Sequence, residues 1–264
     1  LIFRWNHIWI LLVALVGFLG VPCFSDPAPK WLSGERLDFE IRYGFISAGN
    51  ASLLTRAGSD SSRIEFLTLA QNNGIFETIY PVRDTVSTMV LRKGFAPEVF
   101  RKVIHEGGYN ARSRIAFDWP KKKAHLTDSV FWDNGALRSH SDTTVEVNDG
   151  YHCIISAFYM VRTLALQPGK EWYFQAVSGK KKYKMRVVCY GRETITVPAG
   201  TFKCLVVEPM LDGDGLFQAK GKLVIWLSDD ERRLPVLMKS KIAVGSIRAE
   251  LQHWNQGAGY GNAP

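Results

Sequence analysis

Cysteine is scarce in this chain, with four residues in 264. Cys23 falls in a leader-like N-terminal stretch, leaving Cys153, Cys189 and Cys204. At most one intrachain bridge can then form, and a hydrophobic core, at 46% apolar composition, has to hold the fold. Reaction motifs are missing as well. No G-x-S-x-G nucleophile elbow and no C-x-x-C pair occur. His105-Glu106-Gly107-Gly108-Tyr109 offers one histidine where a zinc-binding helix needs two, and glycines bound it. His152 and Cys153 are adjacent, and neighbours on a helix do not face each other, which argues against a nucleophile and base pair. Asp212-Gly213-Asp214-Gly215 opens like a calcium loop, but Leu216 takes the third ligand position, so a turn is the better reading. No catalytic residue, metal ligand or cofactor is assigned, and the reading leans away from an enzyme.

Apolar runs long enough to cross a membrane are missing too. Arg4 precedes an apolar run over residues 8–18, followed by Gly20, Pro22 and small residues near Ser25, in the order of a secretory signal peptide. The run is too short for a comfortable span. Residues 1–25 are therefore read as a signal peptide, with an uncleaved anchor as the alternative because Trp5, Trp9 and the bulky flanks blur the cleavage site. Cys23 invites a lipoprotein reading, against which Pro22 argues. The predicted location is the periplasm or the envelope. Acidic residues are in deficit, 25 against 33 basic ones, for a net charge of +8 that falls to +7 when Arg4 leaves with the leader. For an exported protein this points away from nucleic acid and toward anionic lipid headgroups, lipopolysaccharide or acidic glycans. The competing reading is plainer: Lys121 to Lys123 and Lys180 to Lys182 follow Trp119-Pro120 and Ser178-Gly179, so they sit at turns, where lysines solvate and discourage aggregation.

Alternating apolar and polar residues between turn signals fill most of the rest. In residues 35–43, Leu37, Phe39, Ile41 and Tyr43 fall on one face and Arg36, Asp38, Glu40 and Arg42 on the other, as in a half-buried strand. Further strands are predicted over 51–56, 64–70, 85–91, 99–105, 112–119, 124–128, 137–147 and 171–177. Residues 75–80 are left unassigned. From residue 181 to 253 the pattern is a meander, with Pro198-Ala199-Gly200-Thr201 turning one hairpin, centred on Ala199-Gly200, so that Cys204 falls opposite a residue near Ile195. One helix is predicted, about Tyr151 to Leu164, from Ile154, Ile155, Phe158, Val161 and Leu164 at helical spacing, stopped by Pro168-Gly169. The fold class is mainly β: an antiparallel meander curled into a large open or closed barrel, with that helix covering or plugging one end. Residues 31–254 form a single domain and 255–264 a disordered Gly-rich tail.

Gly34-Glu35-Arg36-Leu37, Gly191-Arg192-Glu193-Thr194, Pro198-Ala199-Gly200-Thr201-Phe202 and the run from Ile225 to Pro235 occur together and in order. In this the chain resembles domain-of-unknown-function family 3108, a group of exported bacterial proteins, from about Trp31 to Trp254. The resemblance implies an exported β-rich domain and brings no activity or site residues.

A curled sheet of this size either fills its interior or encloses a ligand. The leading functional expectation is non-covalent binding of an apolar or amphipathic molecule, a lipid or glycolipid, with Tyr43, Phe158 and Trp226 as apolar contacts and Glu106, Glu208 and Arg233 orienting it. The alternative is a structural or assembly protein that recognises an envelope partner through a sheet edge or its basic turns; an anionic membrane surface is a further candidate partner.

Overall fold

The computed structural model describes residues 29, 34–58, 60–178, 181–212, 223–241 and 245–256. The predicted signal peptide and residues 213–222 lie outside the described residues. So does the predicted tail, apart from its first two residues, which continue the last strand.

The elements are β1 (Glu35–Tyr43), β2 (Ile46–Ala57), β3 (Arg63–Asn72), α1 (Gly74–Ile79), β4 (Arg83–Leu91), β5 (Pro97–Glu106), β6 (Tyr109–Asp118), β7 (Lys123–Phe131) and β8 (Leu137–Glu146). There follow β9 (Tyr151–His152), α2 (Ile154–Val161), β10 (Glu171–Ser178), β11 (Lys181–Val197), β12 (Gly200–Asp212), β13 (Leu223–Ser228), β14 (Pro235–Lys241) and β15 (Ser246–Gln256). All fifteen strands of the described residues belong to one sheet, in the order β8-β7-β6-β5-β4-β3-β2-β1-β15-β14-β13-β12-β11-β10-β9. Neighbours are antiparallel except β9 and β10, which pair in parallel at Tyr151 and His152. The first and last strands pair with each other through β1 and β15, while β8 and β9 end the sheet.

Those two ends are joined by residues 147–150 alone, so the chain cannot separate Glu146 from Tyr151 by more than about 18 Å. The sheet therefore curls until its edges nearly meet. Strand twist supplies the curvature, and register shifts at Asp38/Phe39, Ile41/Arg42 and Cys189/Gly191 add to it. The result is a barrel-like sheet that does not close.

Alternation decides which residues fill it. Leu37, Phe39 and Ile41 on β1, Ile64 and Phe66 on β3, Val187 on β11, Leu205 and Val207 on β12 and Leu251 on β15 are buried and belong to one core cluster. Inside the curl lies α2, whose residues 155–160 are all buried. It touches β1 through Arg162 and Glu35, β3 through Tyr159 and Phe66, β4 through Cys153 and Thr88, and β11 to β13 through Phe158. A helix apolar around most of its circumference is stable only where it is enclosed.

Two local expectations, the bounds of the helix and the centre of one hairpin, need correction, and two points left open are filled in. The predicted helix at 151–164 is shorter, because Tyr151 and His152 first pair with Gln175 and Ala176 and the helix opens only after Cys153. Residues 74–79 form the short helix α1, held from outside: the Asn72 side chain donates to the Tyr80 carbonyl at 2.7 Å and accepts from the Val82 N–H at 2.9 Å. The β11–β12 turn is Pro198-Ala199, one residue earlier than expected, which sets Cys204 opposite Glu193 rather than Ile195. Lastly, Cys153, Cys189 and Cys204 are all free and buried.

Beyond Ile115 and Leu126 the inward positions of β6 and β7 are only partly buried, and β8 has no buried residue at all. This end of the sheet leaves the core and stands in solvent.

Candidate functional site

Two polar anchors hold α2 in place. At its start the Cys153 N–H donates to Ser156 Oγ at 3.1 Å, His152 Nδ1 lies 3.1 Å from the same oxygen, and Cys153 Sγ is 3.4 Å from Thr88 Oγ1. Every one of these side chains is buried. Burial pushes the Cys153 thiol up and pulls the His152 imidazole down to about 4, the opposite of a thiolate beside an imidazolium. The cluster is a neutral hydrogen-bonded anchor. At the other end Arg162, the C-cap residue, makes a two-pronged ion pair with Glu35 at 2.7 and 2.8 Å, both side chains 0% exposed. Its remaining donors reach the carbonyls of Arg232 and Arg233, and its guanidinium lies over the Tyr159 ring, which stacks on Phe66 at 3.7 Å.

Between these anchors, one side of α2 leaves space. Ala157, Phe158 and Val161 face Met185, Val187, Val207, Leu223, Ile225 and Leu227 across a cavity of about 30 Å³ with an almost wholly apolar lining. That is room for one methylene-sized group.

A second group of titratable residues lies on the inner face of β4 and β5. Asp84 and Glu106 are 2% and 1% exposed. Asp84 Oδ1 accepts the His105 N–H at 2.9 Å, whereas Oδ2 meets no ordinary donor. Burial raises both carboxyls, and the neighbouring Asp84 charge raises Glu106 further. A protonated Glu106 donating to Asp84 satisfies that oxygen. Lys102 is on the same face and is lowered by burial. At the end of β5, Gly107 has φ +56 with the Tyr80 ring where a side chain would begin, so the turn beside the pair requires glycine.

The six residues expected to contact a ligand are not brought together. Phe158 lines the cavity. Tyr43 is on the inward face of β1 at its far end, against Gly245. Glu106 is inward but bound up with Asp84. On β12 the inward residues are Leu205 and Val207, so Glu208 points outward, where Tyr190 bonds to it. Trp226 also faces outward and donates to Glu193 at 2.8 Å. Arg233 sits in the β13–β14 turn with φ 47 and pairs with Asp229 at 3.0 Å, lending only its carbonyl to Arg162.

Sequence reasoning passed over Glu35, Asp84 and Arg162. Each carried a signal: a charge at an inward parity position of a strand, or the lone charge on an apolar helix. Among the described residues no three His, Cys, Asp or Glu side chains gather as metal ligands.

A barrel-like sheet, curled around an apolar helix and left open between β8 and β9, defines the architectural class. Over residues 38–252 the chain matches the family described as protein of unknown function, DUF3108, and it belongs to that family. A β-barrel-like protein of domain-of-unknown-function family DUF1849 from Brucella abortus superposes with a TM-score of 0.58 at 10% identity, covering 86% of this chain and 98% of its own. A protein with a YmcC-like fold from Bacteroides fragilis NCTC 9343 covers 92% of this chain and 100% of its own at 10% identity, with a TM-score of only 0.32. At such identities the first likeness speaks to fold alone. No curated protein matches the chain.

Proposed function

We propose that the protein is an exported envelope component that acts by recognition along its open sheet edge, accepting an extended segment of a partner on β8. The observation that supports this reading is β8 itself. Among the described residues it is a ten-residue strand that pairs only with β7, and no residue of it is buried. One side of its backbone keeps donors and acceptors that a further strand can use, which is how extended peptides add to exposed sheets. The leader-like N-terminus supports export, and the resemblance of the family to exported proteins agrees with it.

A photo-crosslinking amino acid placed at His140 in cells, with a second at Arg36 on the opposite side of the barrel, tests the edge. The expected result is a discrete adduct from His140 alone, lost when either of the two residues among 141–144 whose N–H points away from β7 is replaced by proline, which removes a donor without unpairing β7. Equal adducts at both positions, or indifference to proline, would defeat the reading.

A second reading, non-covalent binding of a lipid or glycolipid beside α2, draws on the apolar cavity under Phe158. Its small volume accepts the end of a chain, and anything longer requires α2 to shift. Extraction of the purified protein with organic solvent, followed by mass spectrometry, tests this; an extract free of lipid, with no added lipid retained in native spectra, removes it.

A further inference from the structure

We propose that the outward face of β5–β8 is a docking surface for an anionic membrane, on which Arg101, Arg112 and Arg114 engage phosphate-bearing headgroups. Strand parity assembles the three. Phe100, Ile104, Ile115 and Leu126 point into the core, so their chain neighbours point out, and all three arginines are exposed. Arg101 lies directly opposite Arg114, and Arg112 is opposite Val103. Two residues along one strand place Arg112 about 7 Å from Arg114.

What sets the middle of this face apart is that no acid stands directly beside its arginines: Arg101 faces Ser87, Arg114 faces Thr127, and Arg112 faces Val103 and Ser129. Elsewhere the barrel pairs its arginines: Arg36 with Asp38, Arg63 with Glu98, Arg192 with Asp229, Arg248 with Glu250. Arg101, Arg112 and Arg114 have no carboxylate partner among the described residues. The acids of the same face stand off from them: Asp142 is opposite Thr127, two strands from Arg114, while Asp118 and Glu146 flank Lys123 toward the other end of the strands, with Asp118 paired to Lys121 and Glu98 of β5 paired to Arg63. Like charges directly opposite across a ladder cost stability, so the Arg101–Arg114 pair is a local excess that a bound anion relieves. Guanidinium groups suit phosphate oxygens because their planar fork donates two parallel hydrogen bonds. His105, His125 and His140 share the face, each with Nδ1 held by the residue opposite: Asn110 at 2.6 Å, Thr144 at 2.9 Å and Ser129 at 2.9 Å.

The rim of this face selects a membrane over a soluble polyanion. Trp132 and Leu137, at the β7–β8 turn, are 52% and 58% exposed, and Arg138 lies 4.3 Å from the Trp132 ring centroid. Arg112 covers Phe131 at 5.1 Å. A tryptophan capped by a cation beside an exposed leucine matches the headgroup zone, where apolar bodies and polar tips are both accommodated. A polyanion in water uses the arginines and leaves Trp132 and Leu137 exposed.

The test is cosedimentation of the full-length chain with vesicles of phosphatidylcholine containing roughly a third phosphatidylglycerol, against phosphatidylcholine alone, across a salt series. The N-terminal apolar run is common to every arm. The combined variant Arg101→Gln, Arg112→Gln, Arg114→Gln is expected to lose affinity for the anionic vesicles by roughly a hundredfold, since each basic side chain at such a surface is worth about a factor of five. It should melt no lower than the parent, the Arg101–Arg114 repulsion being gone. A second triple variant, Arg36→Gln, Arg56→Gln, Arg192→Gln, removes the same charge from other faces and is expected to bind almost as the parent does. Equal losses in the two variants would assign binding to net charge, and no loss in the first would clear the face of any role; either overturns the proposal. So would equal binding to phosphatidylcholine alone, or tighter binding to duplex DNA or a soluble sulfated glycan at matched anion concentration.

Discussion

Arg162 and Glu35 are completely buried and satisfy each other with two hydrogen bonds. Two charges taken out of water cost more to leave unpaired than their attraction gains. Arg162→Ala is therefore expected to destabilise the protein by about 3–5 kcal/mol, and a paired change to apolar residues of similar volume, Glu35→Leu with Arg162→Met, to cost far less. Urea unfolding of the two variants reads this directly. Titration of Glu106 makes a second prediction. Its carboxyl is raised by burial to about 8, whereas in the unfolded chain it ionises near 4.3. The folded state thus holds a proton that the unfolded state has lost, and stability falls as pH rises through this window. Below about pH 6.5 the buried His152 pulls the other way, because its folded value lies near 4. The clean interval is pH 6.5 to 8, over which unfolding free energy should drop by roughly 2 kcal/mol. Glu106→Gln, which keeps a donor for Asp84, should flatten that slope; an unchanged slope would show that the pair does not share a proton.

Among the elements, α2 is the one whose pattern promised most and whose surroundings decided more. Its apolar spacing was plain in the residues, but neither the inserted strand pair at Tyr151-His152 nor the enclosure on every side can be read from a period of 3.6. Phe158 is 7% exposed and forms one wall of the apolar cavity, edge-on to Tyr159. Phe158→Ala should cost about 3–5 kcal/mol, as truncation of a buried aromatic does. Melts repeated with a short-chain detergent distinguish the two readings of the cavity. A ligand that occupies the enlarged space restores part of the lost stability, and no recovery leaves the cavity as a packing defect. At β8 the argument reverses. Its strand character was clear from its length between turn signals, and the polar inward positions Ser139, Ser141 and Thr143 were a sign that no described element covers it.

Taken as a whole molecule, the fold is a sheet that starts in its own middle. The chain enters at β1, works outward to β8, crosses the gap through residues 147–150, and returns from β9 to β15 beside β1. Long-range pairing of β1 with β15 has to await the last strand, so folding should be slow and should leave β8 unpaired while it proceeds. A chain shortened to end before β15 is expected to stay unfolded by circular dichroism, because β1 and β14 would each lose a partner strand; a cooperative melt from it would show that the two halves fold independently.

The residues alone determined the mainly β class, the approximate positions of most strands, the one substantial helix and the family. These follow from alternation with a period of two, broken at glycine and proline, which is local information. Tertiary structure decided whether the sheet closed, that Glu208 and Trp226 face outward while Phe158 faces a cavity, and that Arg162 finds Glu35 across 127 positions of chain. It also gathered Arg101, Arg112 and Arg114 without an acid among them. The reason is register. Parity sorts a strand's residues into two faces, but only pairing and curl say which face is inside and which charges on different strands become neighbours.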